Sequence, residues 1–305
     1  MRIGIIIQLS GTTGESGLAT RSWNQVRDEV VAAERVGFDS AVYEDVLWYP
    51  GEDKGSGVWE SVAISGALAE ATSQISFGPS VFNGVYRSPT LLAKVAETVD
   101  EISEGRFILG IGAGNTPDDY PPFGFPSDFR FSRFAEAIEI IHSMLKTGSA
   151  SLDGRFWRAN DAQMVLRGPR TQGPPIVMAA GGPKMLRLAA RFADEWNWWP
   201  QGEDPHQAIA PLIEELDSAC AEEDRDPSNL LRSLDIYSVD PLGLGTAGHP
   251  VSIGGSHQEI TNTLAGLGSL GVTEVRCNLV YDKEANNKIE AIESMADIVE
   301  AVQAR

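Results

Sequence analysis

Two turns that contain glycine have the residue composition expected where the backbone lies close to a bound ligand. One ends the apolar run FILGIGAGN, residues 107–115, and the other is AAGGP, residues 179–183. Glycines at the carboxyl end of a buried parallel strand bring the chain close to a bound molecule. A helix begins at Pro183, so the free N–H groups of its first turn can bind phosphate or carboxylate. A tight turn with merely solvated basic side chains is the competing interpretation.

The first turn is a weak dinucleotide-binding fingerprint. Gly110, Gly112 and Gly114 have suitable spacing, but Asn115 follows them and no helix begins at once. We therefore do not expect a Rossmann-type nucleotide site.

The active sites of parallel barrels lie where the strands end, so the candidate site residues are those that follow each predicted strand. Many of them are polar or aromatic. The candidates, in chain order, are Glu44, Asp45, Trp48, residues 80–83, residues 112–115, Gly181, Gly182, residues 197–199, Tyr237, Tyr281 and Asp282. Aromatic, amide and glycine residues outnumber acids and bases, which favours a pocket for a flat ring over a hydrolase. Trp196 is expected in the core, and Trp198 or Trp199 in the pocket wall.

The sequence contains no motif for a metal site or for a catalytic nucleophile. The histidines are His142, His206, His249 and His257. They form no HxH or HExxH pattern, and no GxSxG elbow occurs. We expect these histidines to be structural or solvated and predict no metal.

Strands alternate with helical patterns along the chain, which implies parallel strands joined by right-handed crossovers. The predicted strands are residues 2–9, 39–44, 75–81, 107–111, 176–180, 195–198, 231–239 and 272–280, and a closing helix is predicted at 284–302. This count predicts one TIM (β/α)8 barrel domain over residues 1–305.

An insertion interrupts the alternation after the fourth strand. Residues 116–129, TPDDYPPFGFPSDF, hold four prolines and three aspartates and are predicted to form a loop. Long loops of this kind serve as lids or binding loops, so we expect this one to roof the pocket. Residues 149–166 predict an inserted hairpin that turns at Asp153-Gly154.

Composition favours a cytoplasmic globular protein. The net charge of −19 argues against nucleic acid or an anionic membrane as a partner. The sequence has no apolar stretch of membrane-spanning length and no signal-like N-terminus. Cys220 and Cys277 are too few for a disulfide framework.

Three segments together resemble a known family. They are RSPTLLAKVAETVDEISEGRFILGIGAG, FGFPSDFRFSRFAEAIEII and PPIVMAAGGPKMLRLAARFADEWN. In this order they are similar to signature segments of the bacterial luciferase-like flavin monooxygenase superfamily, in particular its oxidoreductase branch that uses the deazaflavin coenzyme F420. The resemblance covers essentially the whole chain and implies a TIM barrel with an insertion after strand four. We also expect the protein to be a homodimer.

The resemblance also implies a cofactor site. A non-prolyl cis peptide at Ser80–Val81 would back the deazaflavin ring, Asn115 would contact the ring, and the turn after strand five would bind the phosphate or ribityl chain. The implied cofactor-binding residues are Ser80, Val81, Asn83, Gly112, Asn115, Ala180, Gly181, Gly182 and Pro183. A basic rim of Arg87, Lys184 and Arg187 would suit an anionic tail of coenzyme F420.

One position departs from the family pattern. Many relatives carry Asp-His-Leu-Trp after strand two, where the His and Trp face the substrate, whereas this chain has Val46 between Asp45 and Leu47-Trp48. Glu44 or Asp45 would therefore have to serve as the acid or base, beside Trp48.

Three functional hypotheses follow. The first is an F420-dependent oxidoreductase that transfers a hydride to or from a small organic substrate. The second is an FMN-dependent monooxygenase that receives reduced flavin from a partner reductase and activates O2. The third, which the missing histidine makes plausible, is a barrel that binds a ligand without catalysis.

Overall fold

Eight parallel strands, together with a two-residue strand at Phe82–Asn83 that pairs with the fourth, form a barrel in the computed structural model, which describes residues 1–12, 21–49, 56–115, 118, 120–201, 204–245, 252–282 and 287–305. The order of neighbours follows the chain, with β8 beside β1. Phe77 closes the circle between the third and fourth strands through bonds to Arg106 and Ile108. The strands are β1 (Arg2–Ile7), β2 (Ser40–Tyr43), β3 (Ser76–Pro79), β4 (Leu109–Gly112), β5 (Ile176–Ala179), β6 (Glu195–Trp198), β7 (Leu231–Val239) and β8 (Glu274–Leu279). The predicted TIM barrel is confirmed.

Helices surround the barrel and follow its strands. They are α1 (Trp23–Val36), α2 (Ser61–Ala71), α3 (Pro89–Ile102), α4 (Arg130–Thr147), α5 (Pro183–Phe192), α6 (Pro205–Glu222), α7 (His257–Gly266), α8 (Lys288–Ser294) and α9 (Ala296–Gln303). The prediction of one closing helix is wrong for its described part, because the helix is interrupted between α8 and α9. There the Met295 N–H bonds the Ile292 carbonyl only three residues back, which tightens the turn. Residues 284–286 of that predicted helix lie outside the described part.

The two faces of the barrel sheet differ in character. On β1, Ile3, Ile5 and Ile7 share one face and are fully buried, whereas Gly4 lies on the other face, in register with Arg276 of β8. On β8, by contrast, the buried Arg276 guanidinium pairs with Glu195 at 2.5 Å and Glu274 at 3.2 Å. Burial opposes the charge of Arg276, but these carboxylates outweigh it and raise its pKa above the ordinary value. The sheet is thus tied together by buried ions as well as by apolar packing.

Two insertions and a small sheet extend the barrel. The predicted hairpin is confirmed, with strands Ser149–Asp153 and Arg158–Gln163. The described part of the loop predicted at 116–129 includes the 3-10 turn Pro121–Phe123, and residues 116, 117 and 119 lie outside the described part. A three-stranded antiparallel sheet at the barrel mouth joins Ser10–Thr12, Trp48–Tyr49 and Ser56–Val58. These strands are too short for a periodic sequence signal.

Candidate active site

A cavity of about 390 Å³ opens at the carboxyl ends of the barrel strands, within the usual range for small-molecule sites. The predicted site residues that line it are Glu44, Asp45, Ser80, Val81, Asn83, Gly112, Asn115 and Gly181. The predicted residues that lie outside its lining are Trp48, Ala180, Gly182 and Pro183. The structure therefore brings most of the predicted site together. Of the four predicted residues in the turn after β5, one lines the cavity and three lie outside its lining.

The end of β3 forms one wall of the cavity. The Ser80–Val81 peptide bond is cis, which confirms the prediction for this position. This bulge presses on β4, since a Cβ at Gly112 would lie 2.8 Å from the Val81 Cγ2 atom and one at Gly110 would overlap the Pro79 carbonyl. The glycines of β4 therefore make room for protein atoms, and the wall beside them is held in place by close packing.

Asp45 is held in a buried ion pair at the same end of the barrel. Its carboxylate accepts hydrogen bonds from both Nη atoms of Arg87, at 2.7 and 2.8 Å, from the Asn83 N–H at 2.8 Å and from the Ser61 hydroxyl at 2.5 Å. Burial opposes the charge of Arg87, but hydrogen bonds and charge pairing with Asp45 and Glu60 raise its pKa above the ordinary value. Arg87 is only 14% exposed at its side chain, so it is unavailable for the predicted basic rim.

Glu44 lies in the cavity wall with a different set of partners. One carboxylate oxygen accepts the N–H groups of Leu9 and Ser10 at 2.9 and 2.7 Å. The other accepts the Tyr49 hydroxyl at 2.8 Å. Glu44 and Tyr49 both line the cavity. The carboxylate is thus oriented by three uncharged donors.

Asp235 is a site residue that the sequence reasoning missed. It lines the cavity from β7, where its carboxylate accepts the Ser80 hydroxyl at 2.9 Å and the Asn197 amide at 3.0 Å. Arg276 stands 4.0 Å away. Burial raises the pKa of Asp235, which is 3% exposed. A charged residue amid the apolar residues of a predicted buried strand was the available signal.

Tryptophans of β6 and its end form an aromatic wall. The rings of Trp198 and Trp199 stack with centroids 4.2 Å apart, and both line the cavity. A Cβ at Gly181 would overlap the Trp198 ring, so the glycine admits the indole. Trp196 is fully buried and donates its indole N–H to the Ala180 carbonyl at 2.8 Å. The predicted division between core and pocket tryptophans is confirmed.

The turn between β5 and α5 presents its glycine to open space. Gly182 caps α5 with φ of 76°, and its carbonyl accepts the N–H groups of Met185 and Leu186. A Cβ added at Gly182 would meet no atom within 4 Å. The N–H groups in the first turn of a helix lack partners within the helix, and Lys184 stands beside them with its ammonium group 5.6 Å from the Phe131 ring centroid.

A side groove of about 380 Å³ lies beside the cavity. Ala113, Gly114 and Met185 line both spaces. Arg130, at the start of α4, also lines the groove and donates to the Gly114 carbonyl at 2.8 Å. The groove thus adjoins the ring-sized cavity and has the cation Arg130 in its lining, and Lys184 precedes Met185 in the chain.

The insertion after β4 is anchored at its described residues. Tyr120 is fully buried, its hydroxyl accepts the Asn83 amide at 2.6 Å, and its ring packs edge-on against Tyr86 at 5.2 Å. Phe125 packs on the other side of Tyr86, with centroids 5.0 Å apart. Asn83 therefore connects the insertion to Asp45 and the end of β3.

The described residues contain no cluster of three or more acidic, histidine or cysteine side chains that could hold a metal ion. His142 packs against Phe192 with centroids 5.2 Å apart, and burial lowers its pKa. Among the described helices, none has the length and apolarity needed to cross a membrane.

Comparisons with known proteins agree with this architecture. The model of the luciferase-like monooxygenase family matches residues 1–239. A 5,10-methylenetetrahydromethanopterin reductase of Archaeoglobus fulgidus is 34% identical over 54% of this chain, and an F420-dependent glucose-6-phosphate dehydrogenase of Beutenbergia cavernae is 30% identical over 69%. The aligned parts span 46% and 63% of those two relatives.

A solved structure shows the same fold over the whole chain. It is an F420-dependent secondary alcohol dehydrogenase in complex with an F420-acetone adduct, with a TM-score of 0.80 and 17% identity, and the match covers 99% of this chain and 98% of the other. With the family match over residues 1–239, the barrel and the glycine-walled cavity place this chain in the luciferase-like monooxygenase family.

Proposed function

We propose that this protein is an oxidoreductase that uses coenzyme F420 to transfer a hydride to or from a small organic substrate. The observation that carries the proposal is a ring-sized cavity at the barrel mouth, walled by Val81 on one side and by the stacked rings of Trp198 and Trp199. The relatives named above as F420-dependent add support.

The residues present fit such a cofactor. The Ser80–Val81 wall and the stacked tryptophans offer flat and aromatic surfaces for a ring. The open turn at Gly182, with Lys184 beside it, provides backbone donors and a cation for a phosphate. The side groove can lead an anionic tail to the surface. When bound, the deazaflavin supplies the hydride donor or acceptor.

We assign the proton chemistry of the substrate to Glu44. It faces the cavity, and its carboxylate is oriented by backbone N–H groups and by Tyr49. Asp45 has four donors on its carboxylate and serves to hold Arg87 and Asn83. Trp48 lies next to this pair outside the lining, so its predicted role at the substrate stays a prediction.

The test is a titration of the purified chain with coenzyme F420 and, separately, with FMN, read by fluorescence quenching. We expect F420 to bind, and Val81→Trp to abolish its binding by filling the ring wall. Val165→Trp is the matched control, because Val165 is 85% exposed and lies outside the cavity. Tight FMN binding without F420 binding would contradict the proposal.

An FMN-dependent monooxygenase that receives reduced flavin from a reductase is the second candidate, favoured by the name of the matching family. The same titration separates the two. Binding of neither cofactor would favour the third hypothesis, a ligand-binding barrel without catalysis.

We further infer a cytoplasmic homodimer. Leu91 and Ile102 lie on the same face of α3 and are 57% and 42% exposed, which is the kind of apolar surface that a second copy covers. The free, buried Cys220 and Cys277 suit a reducing compartment. Light scattering of the purified chain tests the oligomeric state, and Leu91→Lys is expected to yield the monomer.

A further inference from the structure

The charges around the cavity are unequally balanced. Three carboxylates line it: Glu44, Asp45 and Asp235. Among the described lining residues there is no lysine, arginine or histidine. Asp45 is neutralised from behind by Arg87 at 2.7 Å, and Asp235 faces Arg276 at 4.0 Å. The charge that the cavity wall presents most directly is therefore that of Glu44.

The groups that donate hydrogen bonds to the Glu44 carboxylate are neutral. Its three hydrogen-bond donors are two backbone N–H groups and the Tyr49 hydroxyl, which orient the carboxylate without cancelling its charge. Lys288 is a buried cation in the neighbourhood and interacts with Glu44 at longer range. Its close partner is Glu29, at 3.1 Å, and it lies outside the cavity lining.

A ligand in this cavity consequently meets a carboxylate first. Two like charges several ångströms apart at a protein surface repel each other, and an unpaired ligand anion would also lose its hydration. A hydroxyl group can instead donate to Glu44, and a carbonyl group can accept from the side-chain amides of Gln8 and Asn278, which line the same cavity.

From this charge distribution we infer that the substrate is an uncharged or cationic hydroxyl or carbonyl compound, and that Glu44 is the residue that rejects anionic substrates such as phosphate esters. The inference rests on the proposed function and gives it a substrate class. This class excludes the sugar phosphate in the name of several relatives, so the selectivity of this chain departs from theirs.

The test compares two probes of the same shape, benzyl alcohol and 4-(hydroxymethyl)benzoate. Their binding to the cofactor-free chain is measured by calorimetry, and their kcat/KM with coenzyme F420 by absorbance. We expect the wild type to prefer the neutral probe by at least about tenfold in both measurements. Glu44→Gln keeps the acceptor for the backbone N–H groups, and it should reduce the binding preference measured by calorimetry about tenfold.

Glu139→Gln is the matched control, because it changes the net charge equally at an exposed position of α4. It should leave the preference unchanged. Val46→Lys adds a cation to the lining and should increase binding of the benzoate, which keeps the inference testable if Glu44→Gln is unstable. Wild-type binding of the benzoate as tight as that of the alcohol, no binding of the alcohol, or equal shifts in the two glutamine variants would overturn the inference. Because calorimetry needs no cofactor, a failure of F420 to bind is recorded separately.

Discussion

The ends of β4 and β5 carry similar glycine turns with different surroundings. Gly114 has φ of 80°, and a Cβ there would overlap the Tyr120 hydroxyl and lie 2.5 Å from the Asn83 amide nitrogen. Gly182 has φ of 76°, and a Cβ there would meet nothing within 4 Å. The first turn is packed against protein, whereas the second faces open space.

This difference shows what a glycine-rich turn does and does not reveal. Both positions need glycine for their positive φ. At Gly114 the missing side chain is replaced by Tyr120 and Asn83, so the turn holds the insertion in place. At Gly182 nothing in the described structure takes that space, which leaves it for the cofactor phosphate in our proposal.

The largest expected effect concerns the support of the packed turn. Asp45→Ala removes the more buried of the two carboxylates that pair with Arg87 and the acceptor of the Asn83 N–H, and should lower the free energy of unfolding by about 3–5 kcal/mol. Urea denaturation followed by circular dichroism measures it. The control is Glu60→Gln, because the Glu60 carboxylate is 50% exposed and should contribute less than about 1 kcal/mol. Equal losses in the two variants would refute this account.

Gly114→Ala should lower the free energy of unfolding by about 2–4 kcal/mol, from the positive φ and the overlap with Tyr120 together. Adding Tyr120→Phe removes the overlapping oxygen and should recover part of the loss. The four stabilities of this double-mutant cycle, measured by denaturation, test the coupling. Strict additivity would mean that the turn does not depend on Tyr120.

Gly182→Ala should affect stability less and F420 binding more than Gly114→Ala does. Only the backbone strain affects stability, by about 1–2 kcal/mol, while the added methyl group enters the space assigned to the phosphate. We expect coenzyme F420 to bind about tenfold more weakly, as measured by fluorescence quenching. If Gly114→Ala weakened F420 binding more than Gly182→Ala at matched stability, the assignment of the two turns would be reversed.

Lys184→Gln should have the smallest effect. An exposed cation near an anionic tail contributes a few-fold in affinity, and salt screens it. F420 titrations at low and high salt should show a difference of about threefold that shrinks as salt rises. Arg187→Gln is the comparison, since Arg187 is paired with Glu222 at 2.6 Å, and it should change the affinity less.

Most of the fold could be predicted from the sequence because its signals are local. The apolar runs at residues 3–7 and Ile176–Ala179 depend on residues close together in the chain. The small sheet at the barrel mouth and the break at Met295 escaped prediction, since the strands span two or three residues and the break depends on packing.

The candidate site was predictable in position but only partly in role. Strand ends located Glu44 and Asp45, and the family resemblance located the cis bond at Ser80–Val81. The missed residue, Asp235, acquires its place through Ser80, 155 positions earlier in the chain.

The sequence by itself determined the barrel, the level at which the cavity opens and the two glycine turns, because periodicity and strand ends are properties of short segments. Only the tertiary structure decided that Asp45 is bound to Arg87, 42 positions away, while its neighbour Glu44 faces the cavity with neutral partners. Adjacent residues at the end of a strand point to different surroundings. The electrostatics of each carboxylate therefore depend on partners that only the folded chain brings together.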